Sequence, residues 1–231
     1  MIETFQNTLF PSVGLQWALA GTVVTGGQPI SGPPPAPDIS GGGWWTAQCD
    51  IKLLTSTAEI RMWRALAVRL GSGAVPIVVP VIDVAQPWPA GFTGAALVPH
   101  SDGSPFSDGS LYETGIISYA VTGDASLRAT SMQVTRSMGS AIKGGEFFTL
   151  TGPTYGDRLY LIGAVTDVDG DLFSISFLPP LREDYADGTF ADFQKPRCTM
   201  KLSASALSSI WPKIERPYRG QPSITFEETF S

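Results

Sequence analysis

The chain holds one histidine, His100, and two cysteines, Cys49 and Cys198, among its 231 residues. So few sulfur and imidazole groups exclude a disulfide scaffold. They also leave no donor set for structural or catalytic zinc, since neither CxxC nor HExxH occurs. No GxxxxGK[ST] or GxGxxG is present; the stretch from Gly139 to Gly145 contains glycine but matches neither motif. Charge is scarce too: Asp, Glu, Lys and Arg make up 16% of the chain, against a usual share of about 25%. The deficit points to a surface covered by other chains or built from uncharged loops. Basic residues are outnumbered 15 to 21, for a net charge of -6. A specific nucleic-acid surface needs clustered Lys and Arg, so this balance argues against one, and against binding to anionic membrane. No apolar run approaches the roughly 18 residues of a membrane span. The opening Met1-Ile2-Glu3-Thr4-Phe5 lacks the basic start and apolar stretch of a secretion signal. The expectation is synthesis and folding in a cytoplasm.

What is abundant is turn-forming residues and hydrophobes. There are 25 glycines and 19 prolines, and 43% of the chain is hydrophobic. That content excludes a disordered chain and favours β architecture over a helical bundle. A chain of 231 residues can bury a sizeable core. Period-two alternation, the signature of strands with one buried face, recurs throughout. It runs through Val13-Leu15-Trp17-Leu19, Trp45-Ala47-Cys49-Ile51-Leu53, Phe173-Ile175-Phe177, Cys198-Met200-Leu202 and Ile224-Phe226-Glu228-Phe230. Cys49 and Cys198 sit on the apolar phase, as small buried hydrophobes. Leu159-Tyr160-Leu161-Ile162 is apolar on both faces, which predicts a central strand. Val75 to Ile82 is broken by Pro76 and Pro80 and predicts an edge or bulged strand. Signals from Gly115 to Thr135 are weaker.

One helix is predicted over about 57–70. Ser56 and Glu59 have capping-box spacing, and Ile60, Trp63, Ala67 and Leu70 share a face. Gly71 supplies a left-handed stop. Arg61, Arg64 and Arg69 fall on other faces and read as a solvated or subunit-contact surface. A short, serine-rich segment from Ser203 to Ile210 is a weaker helical candidate. Two stretches read as long loops. Residues 25–43 contain Pro33-Pro34-Pro35 and Gly41-Gly42-Gly43, and residues 99–114 repeat Ser-Asp-Gly-Ser at 101–104 and 107–110. Loops of that length are uncommon inside compact domains unless functional or disordered, and both are expected to reach neighbouring subunits.

Catalytic readings are poor. A triad through His100 with Ser101 or Asp102 would rest on a turn-rich loop without the rigid support that catalysis requires. Asp167-Val168-Asp169-Gly170-Asp171 begins like a calcium loop, but Leu178 stands where that loop needs its glutamate. A type I′ hairpin turn at Asp169-Gly170 is the plainer reading. Glu183-Asp184 and Glu227-Glu228 are adjacent pairs; on a strand such neighbours face opposite ways, which defeats a glycosidase role for the second. Trp44, Trp88, Phe92 and Trp211 suit interface burial or sugar stacking alike. No catalytic, cofactor-binding or metal-binding residue is assigned, no cofactor is implied, and no enzyme is expected.

Several blocks nevertheless form a recognisable series: Gly145-Glu146-Phe147-Phe148-Thr149-Leu150, Arg158-Leu159-Tyr160-Leu161-Ile162, Phe177-Leu178-Pro179-Pro180-Leu181-Arg182 and Pro196-Arg197-Cys198-Thr199-Met200-Lys201-Leu202. With the helix at Glu59–Leu66 and the ending Ile224-x-Phe226-x-Glu228-x-Phe230, the series resembles distal-tail and minor-tail proteins of long-tailed phages and related gene-transfer particles. The resemblance implies a mainly β protein, an antiparallel β-sandwich with one flanking helix, here as a single domain over 1–231. It implies a non-enzymatic virion tail subunit, assembled in the host cytoplasm as a hexameric ring. Its partners would be the tail tube protein and the tail hub or fibre proteins. Alternatives are another tail subunit (tube or hub-flanking) or a carbohydrate-binding β module for host attachment. An acidic surface would let DNA pass such a ring without sticking.

Overall fold

The structure is a computed structural model and describes residues 2–5, 13–22, 40–51, 54–71, 73–81, 96–98, 104, 107, 112–114, 117–139, 141–207, 210 and 222–230. In chain order these form strands β1 (Glu3–Thr4), β2 (Val13–Ala20) and β3 (Trp44–Ile51), then helix α1 (Thr57–Arg69) and β4 (Ile77–Pro80). There follow β5 (Ala96–Val98), β6 (Tyr112–Thr114), β7 (Ser118–Thr122), β8 (Ser131–Met138), β9 (Phe147–Gly152) and β10 (Gly156–Asp169). Last come β11 (Leu172–Leu178), β12 (Phe190–Asp192), β13 (Arg197–Leu202) and β14 (Ser223–Glu228), with a 3-10 turn at Ala204–Leu207. Among the described residues the protein is thus mainly β with one α-helix, as alternation and capping imply. Most of the two long loops, including His100, lies outside the described residues.

The layering departs from the expected sandwich. Contacts divide the chain into two compact units: residues 1–83, 152–159 and 197–231, and residues 84–151 and 160–196. The first holds an open six-stranded sheet in the order β1-β4-β13-β14-β3-β2. In the second, β10-β11-β8-β7-β12-β9 close a barrel, and β5-β6 form a separate two-stranded sheet. Alternation reports one buried face per strand, and that face can meet a second sheet or curl onto itself. Closure removes the sheet edges altogether.

In the first unit, neighbouring strands run antiparallel except β1 and β4, which are parallel. The prolines predicted an edge or bulge at β4, yet β4 lies between β1 and β13. Pro76 precedes the strand and Pro80 is its last residue, so neither missing N–H interrupts the ladder. Helix α1 begins as predicted: the Glu59 N–H donates to Ser56 Oγ at 3.1 Å, and the Ser56 N–H donates to Glu59 Oε2 at 3.2 Å. Ile60, Trp63, Ala67 and Leu70 are buried, the Trp63 indole N–H donates to the Ile210 carbonyl at 2.7 Å, and Gly71 follows at φ +61°. Hydrogen bonds from the Thr55 and Ser56 amides hold the Glu59 carboxyl below its ordinary range. Ser56→Ala is expected to cost about 1 kcal/mol, the usual worth of an N-cap hydroxyl, measurable by urea denaturation.

The barrel core contains Phe148, Tyr160, Phe177 and Phe193, with Val121, Val134 and Ile175 around them. Strands β7 and β8 have weak sequence signals because each buries only two side chains on its inner face, Tyr119 and Val121, and Met132 and Val134, between Ser, Ala, Thr and Gln. The hairpin between β10 and β11 forms where predicted, with a different turn. Asp169 pairs with Leu172, so Gly170 and Asp171 are central, and of these only Gly170 has positive φ, at +60°. A type I′ turn needs two such residues; here the Asp171 N–H donates to the Asp169 carbonyl at 2.5 Å, the i→i+2 bond of a γ-turn centred on Gly170.

Candidate assembly interface

Strand β2 is the eight-residue outer strand of the open sheet. Its register with β3 places Leu15 opposite Cys49, Trp17 opposite Ala47 and Leu19 opposite Trp45. All three odd-numbered side chains therefore share the face on which Ala47, Cys49 and Trp45 are buried. Their own burial is incomplete: Leu15 and Trp17 are half-buried and Leu19 is 38% exposed. Gly14, Gln16 and Ala18 face the other way and are exposed. Among the described residues no strand pairs with the outer side of β2.

Edge strands of stable monomers are normally blunted by charge, proline, a bulge or brevity, because their free amides and carbonyls template further pairing. The opposite edge of this sheet follows that rule: β1 is two residues long, and Glu3 pairs with Arg69 at 2.5 Å. β2 has none of these devices, being long, regular in register and uncharged. The indole N–H of Trp17 is buried and meets no acceptor among the described residues, an uncommon state for a buried tryptophan.

The edge rests on a hydrogen-bonded base. Trp17 meets Trp45 edge-on, ring centroids 6.1 Å apart. The Trp45 indole donates to the Leu159 carbonyl at 2.7 Å and its backbone N–H donates to Glu228 Oε2 at 3.0 Å. Glu228 Oε1 in turn accepts from Arg158 Nη1 at 3.2 Å, and both side chains are almost wholly excluded from solvent. The Arg158 Nε–H donates to the Tyr155 carbonyl at 3.1 Å, and the guanidinium lies over the rings of Tyr155 and Phe230. In the sequence Arg158 is a member of a strand block, and Glu228 is both a strand residue and half of an acidic pair unsuited to glycosidase chemistry. The one signal was Glu228 itself, an acid on the apolar phase of β14.

The other candidates resolve into structural roles or lie elsewhere. Cys49 and Cys198 are free and buried; burial pushes the Cys49 thiol up to about 12 and the Cys198 thiol up as well, so neither is a thiolate nucleophile at neutral pH. Asp171 pairs with Arg136 at 2.7 Å. Asp124, Asp184 and Asp187 border or lie beside an open groove of about 430 Å³, but they act as clamps. Asp184 Oδ1 accepts from the Leu127 N–H, Asp187 Oδ1 from the Gly123 N–H and Asp124 Oδ1 from the Asp187 N–H. Among the described residues no three His, Cys, Asp or Glu side chains gather to hold a metal ion, and no helix is long and apolar enough to cross a membrane. Arg61 and Arg64 are exposed on α1, Trp44 is half-buried, and Ser101, Asp102, Trp88, Phe92 and Trp211 fall outside the described residues.

One buried carboxyl in the barrel unit has a pH consequence. Glu146 is 8% exposed; burial raises its pKa above the ordinary 4.5, opposed by the Lys143 amide and ammonium. Its charge helps burial push the Tyr119 hydroxyl up to about 12, against the pull of Arg136. A carboxyl with a raised folded-state pKa favours folding in its protonated form. That contribution is complete below the unfolded value and lost as pH rises through the folded value. Glu146→Gln is expected to remove this decline, visible as a flatter stability-versus-pH curve above pH 4.5.

No protein-family model and no curated protein matches this sequence.

Proposed function

We propose that the chain is a structural subunit of a phage virion tail, a distal-tail ring component linking the tail tube to the hub or receptor-binding parts. The observation that carries the reading is the β2 edge, which no strand among the described residues covers, in a chain poor in charge. Strand addition across such an edge joins subunits through main-chain hydrogen bonds. The resemblance supplies the setting: a hexameric ring, in the virion, beside tail tube and hub or fibre proteins. The open sheet and α1 of the first unit are read as the counterpart of the family's sandwich and flanking helix. The -6 charge suits a conduit that DNA traverses without binding.

Antibody raised against the purified chain tests this on tailed particles made by a strain that encodes it. Gold label confined to one end of the tail is the expected result; particles that carry no label overturn the reading. A second reading, a carbohydrate-binding β module, draws on the exposed rings of Phe190 and Phe230, 52% and 45% accessible. Binding of the chain to glycans, lost in Phe190→Ala or Phe230→Ala, would favour it.

A further inference from the structure

From the geometry of β2 we infer that the free subunit pairs with a second copy of itself, β2 against β2 across a two-fold axis at Trp17. Such pairing goes beyond the tail assignment and does not depend on it. An edge of eight residues without charge, proline or bulge is an aggregation hazard unless something covers it. The other edge of the sheet is a poor cover, since β1 offers only two residues. β2 itself matches over its length, because its sequence reads nearly the same in both directions about Trp17: Leu15-Gln16-Trp17-Ala18-Leu19.

Directly opposed residues of antiparallel strands point to the same face, so a register that extends this sheet must set odd positions against odd ones. Centring on Trp17 does so and opposes Leu15 to Leu19 of the second copy, Trp17 to Trp17 and Leu19 to Leu15. The half-exposed apolar row of each copy then continues into that of the other, on the face that already holds Trp45, Ala47 and Cys49. A shift by one residue would lay this row against Gly14, Gln16 and Ala18 and lose the match. The strand carries no charge to oppose the approach, and the half-buried Trp17 of each copy lies at the centre of the contact. An isologous pair of this kind is closed and leaves no β2 edge free. Two-fold pairing has no polarity, so in the ring proposed above the pair would be the form of the unassembled chain, and assembly would exchange the second β2 for another strand.

The register makes a charge test possible, because it opposes Gln16 to Ala18 of the other copy, and both are exposed on the far face. Sedimentation velocity of the full chain across a concentration range is the measurement, with circular dichroism to verify folding. The wild-type chain is expected to sediment as two copies. Gln16→Lys with Ala18→Lys sets like charges opposite each other twice and is expected to weaken the pair by about tenfold or more. Gln16→Lys with Ala18→Glu sets opposite charges there and is expected to restore it. A wild-type chain that stays monomeric at every concentration overturns the inference. So does equal behaviour of the two folded variants, or a larger species that the two lysines leave intact. None of these outcomes bears on whether antibody finds the chain at the tail end.

Discussion

Glu228→Gln is expected to destabilise the first unit by about 3–5 kcal/mol, the usual cost of leaving one member of a buried ion pair uncompensated. The substitution keeps shape and one acceptor oxygen, so the hydrogen bond from the Trp45 amide can persist and the loss isolates charge. Arg158 would remain with a guanidinium 1% exposed, its other partners being a neutral carbonyl and two aromatic rings. Neither offsets the cost of holding a cation out of water. Because Trp45 touches Glu228 and Leu159 directly, tryptophan fluorescence during urea unfolding reports the change. The double variant Arg158→Met with Glu228→Gln removes both charges and is expected to be much closer to wild type than the sum of the single losses. Additive losses, or a single loss below about 1 kcal/mol, would mean that the two charges are independently solvated.

Phe148→Ala is the corresponding experiment in the barrel unit, with an expected loss of about 3–5 kcal/mol. Phe148 is fully buried and its ring lies 5.3 Å from Tyr160, 5.6 Å from Phe177 and 5.2 Å from Phe193. Truncation removes three ring contacts and opens a cavity between β9, β10 and β11, strands whose hydrogen bonding resists collapse into the space. Phe148→Leu keeps most of the volume and is expected to recover more than half of the loss. Two compact units need not unfold together, so near-ultraviolet circular dichroism, which senses the tyrosine environments, is the suitable probe. A leucine variant no better than alanine would locate the stabilisation in ring stacking and not in filled volume.

These two sites differ in how far residue order foretells them. Phe148 falls in an apolar block, and its burial follows from local pattern. So do the phase of β2, β3, β11 and β13, the N-cap of α1 at Ser56 and the buried thiols, because each depends on neighbours within a few positions. The turn at Gly170 was legible as a turn but not in type, since the backbone sign at Asp171 depends on the register the two strands adopt. The prolines around β4 misled for a related reason: their cost depends on which amide faces the neighbouring strand, and Pro76 and Pro80 both fall where none is needed.

Period-two alternation determined that this is a β protein, the capping box and helical spacing after Ser56 determined its one amphipathic helix, and composition determined that its surface would be poor in charge. Only the tertiary structure decided that one set of strands closes into a barrel while the other remains an open sheet, that Arg158 meets Glu228 70 positions along the chain, and that β2, not β4, lies at the edge. A strand's own residues specify which of its faces is buried. Which strand lies beside it, and whether any does, depends on contacts between segments far apart in sequence, and no local pattern encodes those.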